Sequence, residues 1–328
     1  MKNQAMIDLT RATNKARREL EREDRMQMIK HIRPQDRGEV GYANSTLIQG
    51  TWPYRDIGEQ TYTAKNGNLS ISMTSINGIP YGVYPRLIMC WLVKAAQMNA
   101  LDYGKDNPDR LCIHFGNNLT SFMRELGIET RVGKGSTSAR LREQLLRMFS
   151  TTLAIQKYDD CGDTYSHSGQ MTQISKVWKL HWDKTEEANL ISDSYVVLSE
   201  EFFDMLIRGA VPVDMGIIRH IKSSPMALDL FMWLSYRFSY LRTPTAVTIP
   251  QLMAQFGTRM DPEDCEARRN FVVKLKKSVA KIHEAWPEAR ITVMKGGQGV
   301  LLRPTAPSVS RRAKKDMSET GGRKNPRT

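Results

Sequence analysis

Residues 122–127 read FMRELG and residues 252–257 read LMAQFG, so one apolar pattern that closes on glycine occurs twice, about 130 residues apart. Each copy ends a helix-forming stretch, and the closing Gly127 and Gly257 are predicted to take the left-handed conformation that terminates a helix. A period this long indicates two duplicated domains, because solenoid repeats are much shorter. The elements that surround each copy therefore decide the fold.

Each copy is preceded by a long apolar helix and a short strand. In the first copy the helix is predicted over 86–101 and the strand over 111–115. In the second copy they are predicted over 225–241 and 246–249. A proline lies at the start of each predicted helix. Proline is tolerated there because the amide groups of the first helical turn make no hydrogen bond within the helix.

Each copy is followed by a basic helix and an alternating strand pair. The first pair is predicted over 151–158 and 173–182, and the second over 289–294 and 300–303, with the glycine-rich segment 295–299 as its turn. Helix, strand, helix, turn, helix and hairpin is the order of a winged helix-turn-helix. The sequence therefore predicts an α+β fold with tandem winged helix-turn-helix domains.

The two basic helices have an apolar face for packing and an outer face of residue types that contact DNA. Arg reads guanine, Asn reads adenine, and Lys, Ser and Thr hold phosphates. The predicted DNA-binding residues are Lys134, Ser136, Thr137, Arg140 and Arg147 in the first copy, Arg269, Asn270, Lys274, Lys276, Lys277 and Lys281 in the second, and Lys295 and Arg303 on the second hairpin. A single basic helix is often only a solvated face, but the repetition favours DNA binding.

The positive charge of the chain is concentrated in three segments. The segments 131–147, 267–281 and 311–328 carry +4, +6 and +5, whereas the whole chain carries +13. Such local basicity favours a polyanionic partner over a general effect on solubility. The predicted organisation is a charged helical arm over 1–44, a first winged-helix domain for dimerisation and DNA binding over 45–192, a second for origin DNA over 193–305, and a basic disordered tail over 306–328.

Residues 78–87 read GIPYGVYPRL and resemble the PYG..PRL entry of the plasmid-encoded RepA family of replication initiators. Further blocks resemble the same family: 65–68, 115–127, 194–203 (SYVVLSEEFF), 212–215 and 224–229 (SPMALD). The resemblance runs from about residue 45 to 305. It implies a protein that binds iterons in double-stranded plasmid origin DNA, helps open the duplex, and recruits host initiator, helicase and primase proteins.

The resemblance also implies a homodimer in equilibrium with a DNA-bound monomer, with the first winged helix as the dimer contact and the dimer as a repressor of its own promoter. It carries over no catalytic residue. Without enzymatic chemistry, we expect no cofactor and no metal. The six histidines never take the spacing of a metal-dependent nicking site, and His114 is expected to be a strand residue.

The compartment is predicted from absences in the sequence. No apolar run reaches 18 residues, the first residues lack the core of a signal peptide, and the four cysteines form no C-x-x-C pair. We therefore expect a bacterial cytoplasmic, DNA-associated protein that does not cross a membrane. Two alternatives remain open: a sequence-specific repressor or partition-type protein without initiator activity, and, less favoured, a nicking or primase-like enzyme.

Overall fold

A computed structural model describes residues 38–116, 119–129, 137–160, 164–181, 194–257 and 259–309, together with positions 19, 20, 23, 34 and 162.

The first repeat begins with a long helix at the position predicted from the sequence. The elements of the first repeat are α2 (Tyr84–Tyr103), β4 (Cys112–His114), α3 (Leu119–Glu125), α4 (Thr137–Phe149), β7 (Ser175–Lys179) and β8 (Tyr195–Leu198). Strands β4, β8 and β7 form an antiparallel sheet in that order.

A four-stranded antiparallel sheet is added to the first repeat. It contains β2 (Thr61–Asn66), β3 (Leu69–Ser75), β5 (Thr151–Asp160) and β6 (Tyr165–Gln173), in the order β2-β3-β5-β6. The predicted strand pair 151–158 and 173–182 is wrong, because β5 pairs with β6 and the following β7 pairs with β8. The chain changes sheets at Ile174, which is fully buried.

The second repeat has the same order of elements, and its predicted hairpin is confirmed. Its elements are α7 (Pro225–Tyr240), β10 (Thr245–Thr248), α8 (Ile249–Phe256), α9 (Cys265–Ala285), β11 (Ile291–Val293) and β12 (Gly299–Leu302). Thr248 and Gln251 form a capping box at the start of α8. The strand order β10-β12-β11 repeats the order β4-β8-β7 of the first copy. The fold is thus mixed α+β with antiparallel sheets, as expected.

The two predicted glycine turns differ. Gly127 has the left-handed conformation with φ of 69°, so its prediction is confirmed. Gly257 has φ of −79°, so the same prediction is wrong there. Glycine is needed at 257 for another reason: a Cβ atom would lie 2.3 Å from the carbonyl oxygen of Met253.

Strand pairing also joins distant parts of the chain. The remaining elements are β1 (Val40–Asn44), α1 (Ser45–Gln49), α5 (Glu200–Arg208), β9 (Ala210–Asp214) and α6 (Met215–Ile221). Strand β1 pairs with β9, and β4 pairs with β8, so both pairs cross the predicted boundary between residues 192 and 193. Residues 40–44, predicted as part of a helical arm, form a strand. The rest of that arm lies almost entirely outside the described residues, as does 310–328 of the tail, and the domain boundaries stay a prediction.

A buried ion pair connects the first helices of the two repeats. Arg86 in α2 donates to both carboxylate oxygens of Asp229 in α7, at 2.8 and 2.7 Å. It also donates to the backbone carbonyls of Trp52, Pro53 and Gly82. The side chains are only 1% and 5% exposed. Burial raises the pKa of Asp229 while the Arg86 guanidinium lowers it, so each charge depends on its partner.

Candidate nucleic-acid interface

Helix α9 is anchored on one side by apolar packing. Asp264 caps its first turn by accepting from the amide of Glu266. Phe271, Leu275 and Ile282 recur at helical spacing and are buried. Trp286, just after the helix, packs edge-on against Phe231 of α7 at 5.8 Å between ring centroids. This packing fixes which face of α9 points to solvent.

The solvent face of α9 holds the cations that the sequence predicts. The exposed residues are Arg269, Asn270, Lys274, Lys276 and Lys277. Within the described part of the chain, the four cations among them form no ion pair. Lys281 differs, because it is half-buried and donates to the Ser223 hydroxyl at 3.1 Å. A helix face with several uncompensated cations is suited to phosphate groups.

The β11–β12 hairpin lies next to this face. Gly296 and Gly297 have φ of 72° and 68° in its turn, a conformation that glycine adopts without strain. A Cβ atom on Gly297 would lie 3.1 Å from Val272 in α9, so the turn packs against the helix. Lys295 in the turn and Arg303 after β12 are both exposed, as predicted.

Sequence reasoning missed one cation of this hairpin. Arg290 is exposed immediately before β11. Its carbonyl accepts from the amide of Arg303 at 2.9 Å, so the two arginines are neighbours. The predicted strand over 289–294 contained Arg290, and the alternation of buried Ala289 and Ile291 around it was the signal that could have identified it.

In the first repeat, helix α4 is anchored in a similar way but exposes less charge. Leu141, Leu145 and Met148 are buried as predicted. Arg140 is exposed, and the hydroxyl of Thr137 donates to the carbonyl of Glu129. Lys134 and Ser136 lie outside the described residues. The predicted site residues of this repeat are therefore only partly brought together.

The prediction that Arg147 projects away from the protein is wrong. Its side chain is 14% exposed and makes ion pairs with Asp56 at 2.9 Å and Glu143 at 2.7 Å. It also donates to the carbonyl of Ile79 and lies over the ring of Tyr81 at 5.1 Å. The hydrogen bond from Arg147 lowers the pKa of Asp56. Arg147 is thus engaged within the protein, although its predicted role in DNA contact is not itself tested.

The described residues contain no group of three or more His, Cys, Asp or Glu side chains that could hold a metal ion. His114 is an exposed strand residue, as expected, and its Nε2 lies 3.6 Å from Cys112 Sγ. Burial raises the pKa of Cys112. Across those same residues, none of the helices has the length and apolar character needed to span a membrane.

Comparison with known families decides the relationship of the chain. The profile of the family described as plasmid-encoded RepA protein matches residues 79–249. The chain belongs to this family. The match starts within the GIPYGVYPRL segment and ends at the beginning of α8, so the basic helix α9 lies beyond it. Family membership supports a role in the initiation of plasmid replication.

One solved structure has a fold related to that of this RepA family member. A crystal structure of domains 2 and 3 of RctB is similar with a TM-score of 0.51 and 11% identity, covering 80% of this chain and 99% of that one. A second structure of RctB domains 2–3 has a TM-score of 0.43 and 13% identity, covering 78% and 95%. A search of curated proteins finds no match.

Proposed function

We propose that this protein initiates plasmid replication by binding repeated sites, the iterons, in double-stranded origin DNA. The observation that carries the proposal is the solvent face of α9, where Arg269, Lys274, Lys276 and Lys277 are exposed without an ion pair among the described residues. Family membership supplies the plasmid context. The binding surface consists of α9 with the adjacent β11–β12 hairpin.

The order of elements supports a winged helix-turn-helix in each repeat. Three helices and a three-stranded sheet alternate as α7, β10, α8, α9, β11 and β12. Helix α9 follows a short helix and a turn, which is the place of a recognition helix that enters the major groove. The β11–β12 hairpin then acts as the wing. It contacts the DNA backbone beside the groove through Lys295, Arg303 and Arg290. In the first repeat, Arg140 and Thr137 are the described counterparts on α4.

Strand opening in this proposal uses binding energy and DNA deformation, so the protein is not an enzyme and needs no cofactor. Host initiator, helicase and primase proteins are then recruited to the opened origin. The protein acts in the bacterial cytoplasm on its own plasmid.

We also propose a homodimer in equilibrium with a DNA-bound monomer, formed through the first repeat. Among the described strands, β6 is an edge of the four-stranded sheet, and all but one of its residues are exposed. Residues 164–175 contain no Asp, Glu, Lys or Arg. Protein edges are usually protected by charge or proline. An uncharged edge of this length is therefore suited to antiparallel pairing with a second copy.

The test of the proposal is footprinting of the plasmid's own origin region at physiological salt with competitor DNA. We expect protection at evenly phased repeats. A second experiment supplies the chain in trans to a plasmid that carries those repeats but lacks its initiator gene. Copying of that plasmid supports the initiator; protection of a lone promoter operator without copying would make the protein a repressor, and absence of specific protection would overturn DNA recognition.

A further inference from the structure

The outer face of α9 contains one apolar side chain among its polar residues. Val273 is 46% exposed. On a helix, the residues three and four positions away are its neighbours. For Val273 these are Arg269, Asn270, Lys276 and Lys277, which are all exposed. The methyl groups of Val273 thus lie at the centre of a polar, cationic surface.

Packing does not account for valine at this position. The apolar side of α9 is formed by buried Phe271, Leu275 and Ile282, on the opposite side of the helix. Valine also has a lower helix propensity than Lys, Arg or Ala, because its branched side chain loses rotamer freedom. A basic surface residue at 273 would favour both the helix and phosphate binding.

The corresponding position of the first repeat has different chemistry. The offset of about 130 residues that relates Gly127 to Gly257 also relates Glu143 to Val273. Glu143 forms an ion pair with Arg147 at 2.7 Å. The central outward position is therefore a carboxylate in α4 and an aliphatic group in α9, so the duplication does not impose valine there.

We propose that Val273 determines sequence specificity by packing against the C5-methyl group of a thymine in the major groove. Thymine is the base that presents an apolar group in that groove. The surrounding Arg269, Asn270, Lys276 and Lys277 hold the helix in the groove and contact base edges and phosphates. This inference rests on the proposed function of α9 as a recognition helix, and it assigns to Val273 a role that charge could not supply.

The test removes each partner of the contact in turn. The protected origin site is synthesised with each thymidine replaced singly by deoxyuridine, which lacks only the C5-methyl group. Binding of each duplex is measured for the wild type, for Val273→Ala, and for the control Leu101→Ala, which shortens an aliphatic side chain that is 85% exposed on α2. Circular dichroism of Val273→Ala checks that the helix is retained.

We expect one deoxyuridine substitution per site to weaken wild-type binding about fourfold, as loss of one buried methyl group implies. Val273→Ala should weaken binding to the unmodified site and become insensitive to that substitution, whereas Leu101→Ala should behave as the wild type. Two results would overturn the inference in a wild type that still binds the site specifically. In one, the same deoxyuridine substitution weakens binding of Val273→Ala and of the wild type equally; in the other, no deoxyuridine substitution weakens binding of the wild type. If the wild type does not bind the unmodified site specifically, the proposed function is overturned, and the inference with it.

Discussion

Helices α4 and α9 occupy corresponding places in the two repeats, but their charged residues have different partners. In α4, Arg147 is bound to Asp56 and to Glu143 within its own helix. In α9, Lys276 and Lys277 are exposed, with no ion pair to a described residue. The number of basic residues in a helix therefore does not give the charge available to a partner. Among the described residues of the two helices, more cations without an ion pair lie on α9.

The added sheet is a second difference between the repeats. The first repeat contains the long β5–β6 hairpin, whose outer strand has an uncharged edge. The second repeat has the short β11–β12 hairpin, with Lys295 in its turn. We interpret the first repeat as the one that pairs with a second copy and the second repeat as the one that reads DNA.

The largest effect is expected from breaking the connection between the repeats. Arg86→Met leaves the buried Asp229 carboxylate without its partner and leaves the carbonyls of Trp52 and Gly82 without a donor. We expect a loss of about 3–5 kcal/mol in the free energy of unfolding, measured by urea denaturation. The exposed Arg208→Met, on α5, is the matched control. An equal, small change in both variants would mean that the pair does not hold the repeats together.

The next effect tests the assignment of DNA binding to the second repeat. Lys276→Ala with Lys277→Ala should weaken origin binding tenfold or more and reduce the slope of log K against log salt by about 1.8, for two lost phosphate contacts. Arg140→Ala in α4 should change the slope by no more than about 0.9. Binding is measured by fluorescence anisotropy over a range of salt concentrations. A larger change for Arg140→Ala would reverse the comparison.

The dimer edge is expected to give a moderate effect. Ser168→Lys with Gln170→Lys places two cations on the β6 edge, where a second copy would bring the same charges close together. We expect the dimer dissociation constant to rise about tenfold, or about 1.4 kcal/mol, as measured by sedimentation equilibrium. Thr61→Lys on β2, at the opposite edge of the sheet, is the control and should leave dimerisation unchanged. Unaltered dimerisation of the β6 variant would place the contact elsewhere.

The smallest effect on DNA binding is expected from Arg147, in contrast to the cations of α9. Arg147→Ala should reduce the free energy of unfolding by about 1–2 kcal/mol, because its charge-assisted hydrogen bonds to partly exposed carboxylates are lost, and should leave the salt slope of DNA binding unchanged. The hydrogen bond from Arg147 lowers the pKa of Asp56 in the folded protein. Its contribution to the free energy of unfolding is therefore present above the ordinary Asp pKa of 3.8 and declines as the pH falls through the lowered pKa.

Thermal unfolding of the wild type and Arg147→Ala at neutral pH and at about pH 3 checks this sign. The difference in stability between the two proteins should narrow in acid. A difference that widens in acid would show that Asp56 is not the partner that matters, and a reduced salt slope would return Arg147 to the DNA interface.

Local patterns were enough to predict much of the second repeat. The basic segment 267–281 lies within α9 (Cys265–Ala285), and the hairpin was predicted from its alternation and glycine-rich turn. The exposure of Arg269, Lys276 and Lys277 followed from helical periodicity alone. These features depend on residues close together in the sequence.

Features that depend on distant residues could not be predicted. The partner of Arg147 is Asp56, and the partner of Arg86 is Asp229; no periodicity relates them. Alternation also failed to show where β6 ends, because buried Thr172 and Ile174 continue the pattern past Gln173, the last residue of β6. Gly257 fits the pattern of a left-handed residue, yet it is required by its close approach to Met253.

The pairing of β1 with β9 has a consequence for synthesis of the chain. Asn44 is opposite Ala210, so β1 leaves the ribosome about 170 residues before its partner. At bacterial rates of about 5–20 residues per second, this delay is about 10–30 seconds. During that time β1 lacks the strand with which it pairs in the finished protein. Folding around β1 is therefore completed only after β9, which lies before the second repeat in the sequence, has left the ribosome.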